Sequence, residues 1–160
     1  MNVPRLRAYI GMGSNLGDRQ KNFLKAIEHM TPLLQELRVS PAHISMAVDR
    51  DGKVDPSAPP FLNGAVTGFY DGEPHQLLAA LQAIEIAMGR HPRDKGQYKP
   101  RFIDLDILFL ERGGLPVIID DVDLVVPHPR LLDRDFVLIP LEQLGFNPAR
   151  APRRNSQSGS

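Results

Sequence analysis

The sequence predicts an α+β fold, a ferredoxin-like βαββαβ sandwich with additional short strands and a helix, in a single domain. Three observations predict it. Segments of strand and helix character follow one another as strand, helix, strand, strand, helix, strand, with additions at the end. They do not alternate strictly, which argues against a doubly wound parallel sheet and suits the split βαβ arrangement. The chain has 160 residues, enough for one domain with a real core, and is 42% hydrophobic, too apolar for a disordered chain.

The elements read as follows. Leu6 to Met12 is a first strand running into the turn-forming cluster Gly13-Ser14-Asn15-Leu16-Gly17. Asp18 can cap a following helix. Phe23, Leu24, Ile27 and Met30 recur there at helical spacing. Leu37 to Met46 alternates enough to be a second strand. Residues 47 to 60, with three Asp and Pro56, Pro59 and Pro60, form a loop. Phe61 to Tyr70 has strand composition, and Asp71-Gly72 is a turn. Pro74 suits the first position of a helix, and Leu77, Leu78, Leu81, Ile84 and Met88 give that helix an apolar stripe ended by Gly89. Residues 90 to 101 are a second loop. Phe102 to Leu110 is the strongest strand signal. Arg112-Gly113-Gly114 turns the chain, Val117 to Ile119 can pair back, and Leu124 to Val126 is short and apolar. Phe136 to Leu144 is apolar and undecided between strand and helix. The folded domain is expected over residues 1–150, with a disordered polar tail over 151–160.

Composition narrows the function classes. Lys plus Arg and Asp plus Glu both number 19, so the chain lacks the net basic face that bulk nucleic-acid binding needs. It has no cysteine, which excludes disulfides, thiol catalysis and zinc–thiolate sites. Its apolar runs fall far short of a bilayer span, and residues 1 to 9 do not read as a signal peptide. The expectation is a cytoplasmic monomer with neither nucleic acid nor membrane as partner.

Several constellations carry chemistry. In Arg101-Phe102-Ile103-Asp104-Leu105-Asp106-Ile107-Leu108-Phe109, strand alternation puts Ile103, Leu105, Ile107 and Phe109 on one face. Asp104 and Asp106 share the other, about 7 Å apart by strand rise. Two like charges in register call for compensation, and Mg²⁺ prefers one or two carboxylates plus substrate phosphates. Spacing alone leaves two readings open: a solvated polar face, or a pair holding metal against a triphosphate. The preceding loop carries Arg90, Arg93, Lys95, Lys99 and Arg101 against Asp94, a cationic clamp for phosphates or a solvated charge run. The glycine cluster at 11–17 misses a dinucleotide fingerprint by one residue and has no Walker lysine, so it reads as a structural turn. Phe61 and Asn63 share a strand face, where a ring and a carboxamide can stack on and hydrogen-bond a flat heterocycle, or serve as core and turn residues. His128, between Pro127 and Pro129, sits on a stiff turn. Glu85 lies at the edge of an apolar stripe and needs a partner, a nearby Arg or a ligand.

The order of these segments is more specific than any one of them. Ile10 to Gly17, Phe61-Leu62-Asn63, Ile84-Glu85 with Gly89-Arg90, Pro100-Arg101 with Asp104-Leu105-Asp106-Ile107, and Pro127-His128-Pro129-Arg130 through Phe136 to Pro140-Leu141 together resemble the hydroxymethyldihydropterin pyrophosphokinase family of folate synthesis. The resemblance implies pyrophosphoryl transfer from ATP to 6-hydroxymethyl-7,8-dihydropterin on a ferredoxin-like fold. It implies two Mg²⁺ ions held with ATP by Asp104 and Asp106, and pterin binding by Asn63 with Phe61 and Phe136 sandwiching the ring. Gln82, Glu85 and Ile107 would contact the nucleoside, and Arg93, Arg101, His128 and Arg134 the phosphates. Asp104, near the hydroxyl, is the residue to test as a base.

The chain also departs from the family pattern. Where family members carry Trp-Gly-Pro-Arg it has Tyr98-Lys99-Pro100-Arg101, and it contains no Trp. Tyr98 can still cover the ATP site. The 90–101 loop is one residue longer, and 47–60 lacks the usual Thr-Pro-Pro-type stretch. The competing readings are a catalytically weak pterin- and ATP-binding member of the family and a metal-dependent phosphodiesterase. The latter recruits more acids or histidines around its metals than are found here.

Overall fold

A computed structural model describes residues 3–46, 51–89 and 101–152. Strand β1 (Leu6–Ser14) leads to helix α1 (Arg19–Met30), whose N-terminus is capped by the Asp18 carboxylate accepting from the Lys21 N–H at 3.1 Å. Strands β2 (Gln35–Val39) and β3 (His43–Ser45) follow, then β4 (Phe61–Tyr70) and helix α2 (Pro74–Ala87). Pro74 starts α2 as the sequence predicts, and Glu73 and Gln76 close a capping box around it. Strand β5 (Asp104–Arg112) is followed by the short β6 (Leu115–Pro116), β7 (Ile119–Asp120) and β8 (Val125–Val126), helix α3 (Asp135–Gln143) and a 3₁₀ turn at Pro148–Arg150.

The main sheet has the order β2-β4-β1-β5-β6, with β3 also beside β4, and every pair is antiparallel. This is the βαββαβ order that the sequence predicts, with β2 and β3 together serving as one strand. Helices α1 and α2 cover one face, where Ile10, Met12, Phe23, Met30, Leu77, Leu81 and Leu105 form the larger core. Helix α3 and the chain after it cover part of the other face, over Tyr9, Leu108, Phe109, Leu141 and Phe146. Among the described residues, no helix is long and apolar enough to cross a membrane.

The structure corrects the sequence reading at several points. The strand expected over 37–46 is two strands, because Pro41 offers no N–H; beside it, Ser40 Oγ accepts from the Ala65 N–H at 2.9 Å. Leu24, expected in the buried stripe of α1, is 63% exposed. Ala26 takes the place against the sheet instead. The segment 136–144 is helical despite Pro140, because Pro140 and Leu141 bury against the sheet and packing outweighs one missing helical donor. Phe109 does not share a face with Ile107. The β1–β5 register passes from Tyr9↔Phe109 to Ile10↔Ile107, leaving Leu108 as the extra residue of a bulge. Leu108 and Phe109 therefore both bury under α3, while Leu105, Ile107 and Leu110 face α1 and α2. Ala151 is buried in the α3-side cluster, so packing reaches one residue into the segment read as a tail; 153–160 lie outside the described residues.

Candidate active site

The face of the sheet that α3 leaves open carries the predicted residues in two rows. Gly13 on β1 pairs with Asn63 on β4 and with Asp104 on β5. Gly11 pairs with Ala65 and with Asp106. Directly paired residues share a face, so Asn63 and Asp104 look out on either side of Gly13, two strand spacings or about 9–10 Å apart. Asp106 stands one row further along.

Asn63 is buried, and its amide is oriented by its neighbours. Nδ2 donates to Ser45 Oγ at 2.6 Å and toward the His43 carbonyl at 3.4 Å. A carbonyl only accepts, so the nitrogen lies on that side and Oδ1 turns toward Gly13. Phe61 is half-buried beside it. Arg19 Nη1 donates to the Pro60 carbonyl at 2.8 Å and fixes the chain where it enters β4.

Arg101 is held from two directions. Its Nη1 lies 3.0 Å from Asp104 Oδ1. Its backbone N–H donates to Asn15 Oδ1 at 2.7 Å, and its carbonyl accepts from the Asn15 N–H at 3.1 Å. Asn22 Nδ2 braces the same turn, donating to the Leu16 carbonyl at 2.8 Å and to Ser14 Oγ at 3.2 Å. The next residue, Phe102, lies against Gly17 (φ +70°) and Gly89 (φ +108°), where an added Cβ would stand 3.2 and 3.1 Å from its ring. Both glycines sit in the left-handed backbone region, and a side chain at either would press on the Phe102 ring. The glycine cluster is thus the structural turn the sequence predicts. What sequence reasoning missed is that its Asn15 fastens Arg101; a polar residue just past the end of a strand was the available signal.

Glu85 is 5% exposed, and its Oε2 accepts from the Leu105 N–H at 2.9 Å. The bond covers the outer edge of β5 between the two aspartates. The Leu105 N–H is thus a backbone partner for this carboxylate within the fold. Gln82 lies one turn earlier on α2, half-buried. Ile107 packs in the helix-side core, its side chain on the face opposite Asp106.

His128 is anchored to the bulge. Its N–H donates to the Leu108 carbonyl at 2.9 Å, two residues from Asp106. Its Nδ1 accepts from the Arg130 N–H at 3.1 Å, which leaves the ring proton on Nε2 as a donor. The preceding Val126–Pro127 bond is cis. Arg134 stands at the N-terminal boundary of α3, with its guanidinium 5.5 Å from the centre of the Phe136 ring. Arg93 and Tyr98 lie outside the described residues.

The donor set suits a hard divalent cation that also binds phosphate. Asp104 is 28% exposed at its side chain and Asp106 is exposed, both on one face, with oxygen ligands only. Among the described residues, one group of three metal-capable side chains occurs elsewhere. It is His75 with Asp121 and Asp123, exposed at the start of α2, the end of the molecule away from Asp104.

Residues 9–145 match the 7,8-dihydro-6-hydroxymethylpterin-pyrophosphokinase (HPPK) family. The chain is 36% identical to a 2-amino-4-hydroxy-6-hydroxymethyldihydropteridine pyrophosphokinase of Methylorubrum extorquens over 140 residues, 86% of this chain and 82% of that protein. It is 36% identical to the protein of the same name from Bacillus subtilis over 137 residues, 86% of this chain and 77% of that one. It is 38% identical over 135 residues to a folate synthesis bifunctional protein of Arabidopsis thaliana, covering 84% of this chain. The chain spans only 26% of that plant relative's length. With the match running from β1 past α3, the chain belongs to the 7,8-dihydro-6-hydroxymethylpterin-pyrophosphokinase family.

Proposed function

We propose that this chain transfers the pyrophosphoryl group of ATP to 6-hydroxymethyl-7,8-dihydropterin and releases AMP. The observation that carries the reading is the row Asn63–Gly13–Asp104 with Asp106 beside it. It joins groups suited to a flat heterocycle and groups suited to metal-bound phosphate on one open face. Asn63 Oδ1 accepts from a ring N–H, and Phe61 and Phe136 take the two faces of the ring. The pterin hydroxymethyl oxygen bonds to the β-phosphorus, and the bond from that phosphorus to the bridging oxygen breaks. Its electron pair stays on the α-phosphate, which leaves as AMP. The hydroxyl proton passes to Asp104 or to water.

The protein's part is positioning and charge complementation. Arg101, Arg134 and Arg93 meet phosphate oxygens, and His128 donates from Nε2. Gln82 and Glu85 border the nucleoside, with Ile107 beneath and Tyr98 over the site. Asp104 and Asp106 would hold two Mg²⁺ ions; when bound, these neutralise charge on the phosphate oxygens. The chain is taken to act as a cytoplasmic monomer, since the apolar faces of α1 and α2 bury in its own core and need no partner chain.

The test is to incubate the protein with ATP, Mg²⁺ and 6-hydroxymethyl-7,8-dihydropterin and to identify the nucleotide product. AMP with pterin pyrophosphate is expected, and its loss on adding EDTA. ADP, or no turnover by folded protein, would sink the reading.

A further inference from the structure

The two glycines of β1 on the open face are not equivalent. A Cβ on Gly11 would stand 3.1 Å from Leu108 Cδ1, closer than nine in ten real Cβ contacts. The β-bulge turns Leu108 onto this face, and its side chain fills the space that Gly11 leaves. Protein thus closes that well. A Cβ on Gly13 would instead stand 3.6 Å from the Phe61 ring and 3.8 Å from Asn63 Oδ1, ordinary contact distances. No backbone strain demands glycine there either, because Gly13 is not among the glycines of positive φ. The fold can therefore accept alanine at position 13. The well above Gly13 is bounded by the Phe61 ring, the Asn63 carboxamide and, across the strand, Asp104.

We propose that Gly13 is the specificity-determining residue of the heterocycle site. Resting on the function proposed above, this adds what sets the depth of the ring. A bicyclic ring hydrogen-bonded to Asn63 Oδ1, with its hydroxymethyl arm toward Asp104, crosses position 13. With no side chain there, the ring lies against the β1 backbone, at the height of the Phe61 ring and the Asn63 amide. A methyl group lifts it by about 1 Å, breaking the alignment with Asn63 and withdrawing the hydroxyl from its in-line position. Misplacement of that size costs about 10²-fold in rate. The nucleotide does not cross position 13, so its binding is unaffected.

The experiment is Gly13→Ala in the full chain. Turnover is measured against each substrate, and binding of 6-hydroxymethylpterin and of α,β-methylene ATP is measured by titration calorimetry with Mg²⁺. The expected result is a pterin kcat/KM lower by about 10²-fold, pterin affinity lower by at least about tenfold, unchanged nucleotide affinity, and a melting temperature equal to or above wild type. Wild-type pterin affinity and turnover in the variant would overturn the inference and leave the proposed function standing. Equal loss of pterin and nucleotide affinity would overturn it as general damage to the site. Wild-type protein that binds nucleotide but no pterin would sink the proposed function, and this inference with it.

Discussion

Asp104 and Asp106 stand on the same face of one strand in different surroundings. Asp104 is ion-paired with Arg101 and lies next to Gly13; Asp106 is exposed beside Gly11, whose space Leu108 occupies. Removing the Asp106 carboxylate therefore takes charge from the open face without touching either core. We expect Asp106→Ala to lower turnover by about 10³-fold with an unchanged circular dichroism spectrum and urea midpoint. Near wild-type turnover in that variant would remove its proposed role. Alternation in the sequence placed both carboxylates correctly, because period-2 geometry needs no tertiary information up to residue 107. It failed at Phe109, since a bulge is a property of two strands and appears in neither alone. The sequence shows Asn15 only as part of a turn for a similar reason. Its partner, Arg101, lies 86 positions away in the chain.

Strand β5 is the element on which the site depends, and its outer edge at Leu105 is covered by a side chain from α2. The Glu85 carboxylate, buried and accepting from the Leu105 N–H, ties the helix to the strand between the two aspartates. Its loss leaves a buried donor without that acceptor. Glu85→Ala is expected to reduce unfolding free energy by about 1–3 kcal/mol, read from urea denaturation, and Glu85→Gln by less, since the amide oxygen still accepts. Equal stability of Glu85→Ala and wild type would show that the bond contributes nothing. The helical wheel located this carboxylate at the edge of the apolar stripe but could not name its partner, which comes from an element 20 positions on.

At the scale of the molecule, one sheet separates two cores and leaves part of one face open. The smaller core under α3 is aromatic: Tyr9, Phe109 and Phe146 have ring centroids 5.1–6.2 Å apart. Phe109 is fully buried there. Its cluster also holds Leu108, whose carbonyl anchors His128. Phe109→Ala is expected to cost about 3–5 kcal/mol of stability and to lower the melting temperature. A loss below about 1 kcal/mol would mean that the α3 side is not a packed core, since large-to-small changes in real cores cost more. Because His128 hangs on this cluster, the second core supports the candidate site as well as the fold.

Local sequence is enough to specify the βαββαβ order, the cap at Asp18, the helix start at Pro74, the shared face of Asp104 with Asp106, and the shared face of Phe61 with Asn63. Each rests on periodicity or on chemistry within a few residues. It takes the folded chain to bring Asn63, Gly13 and Asp104 into one row, to fill the well over Gly11 with Leu108 while the well over Gly13 stays open, and to fasten Arg101 to Asn15. Those facts depend on strand order and register. Register is set by which side chains bury together across the sheet, a choice made between distant segments and not within any one of them.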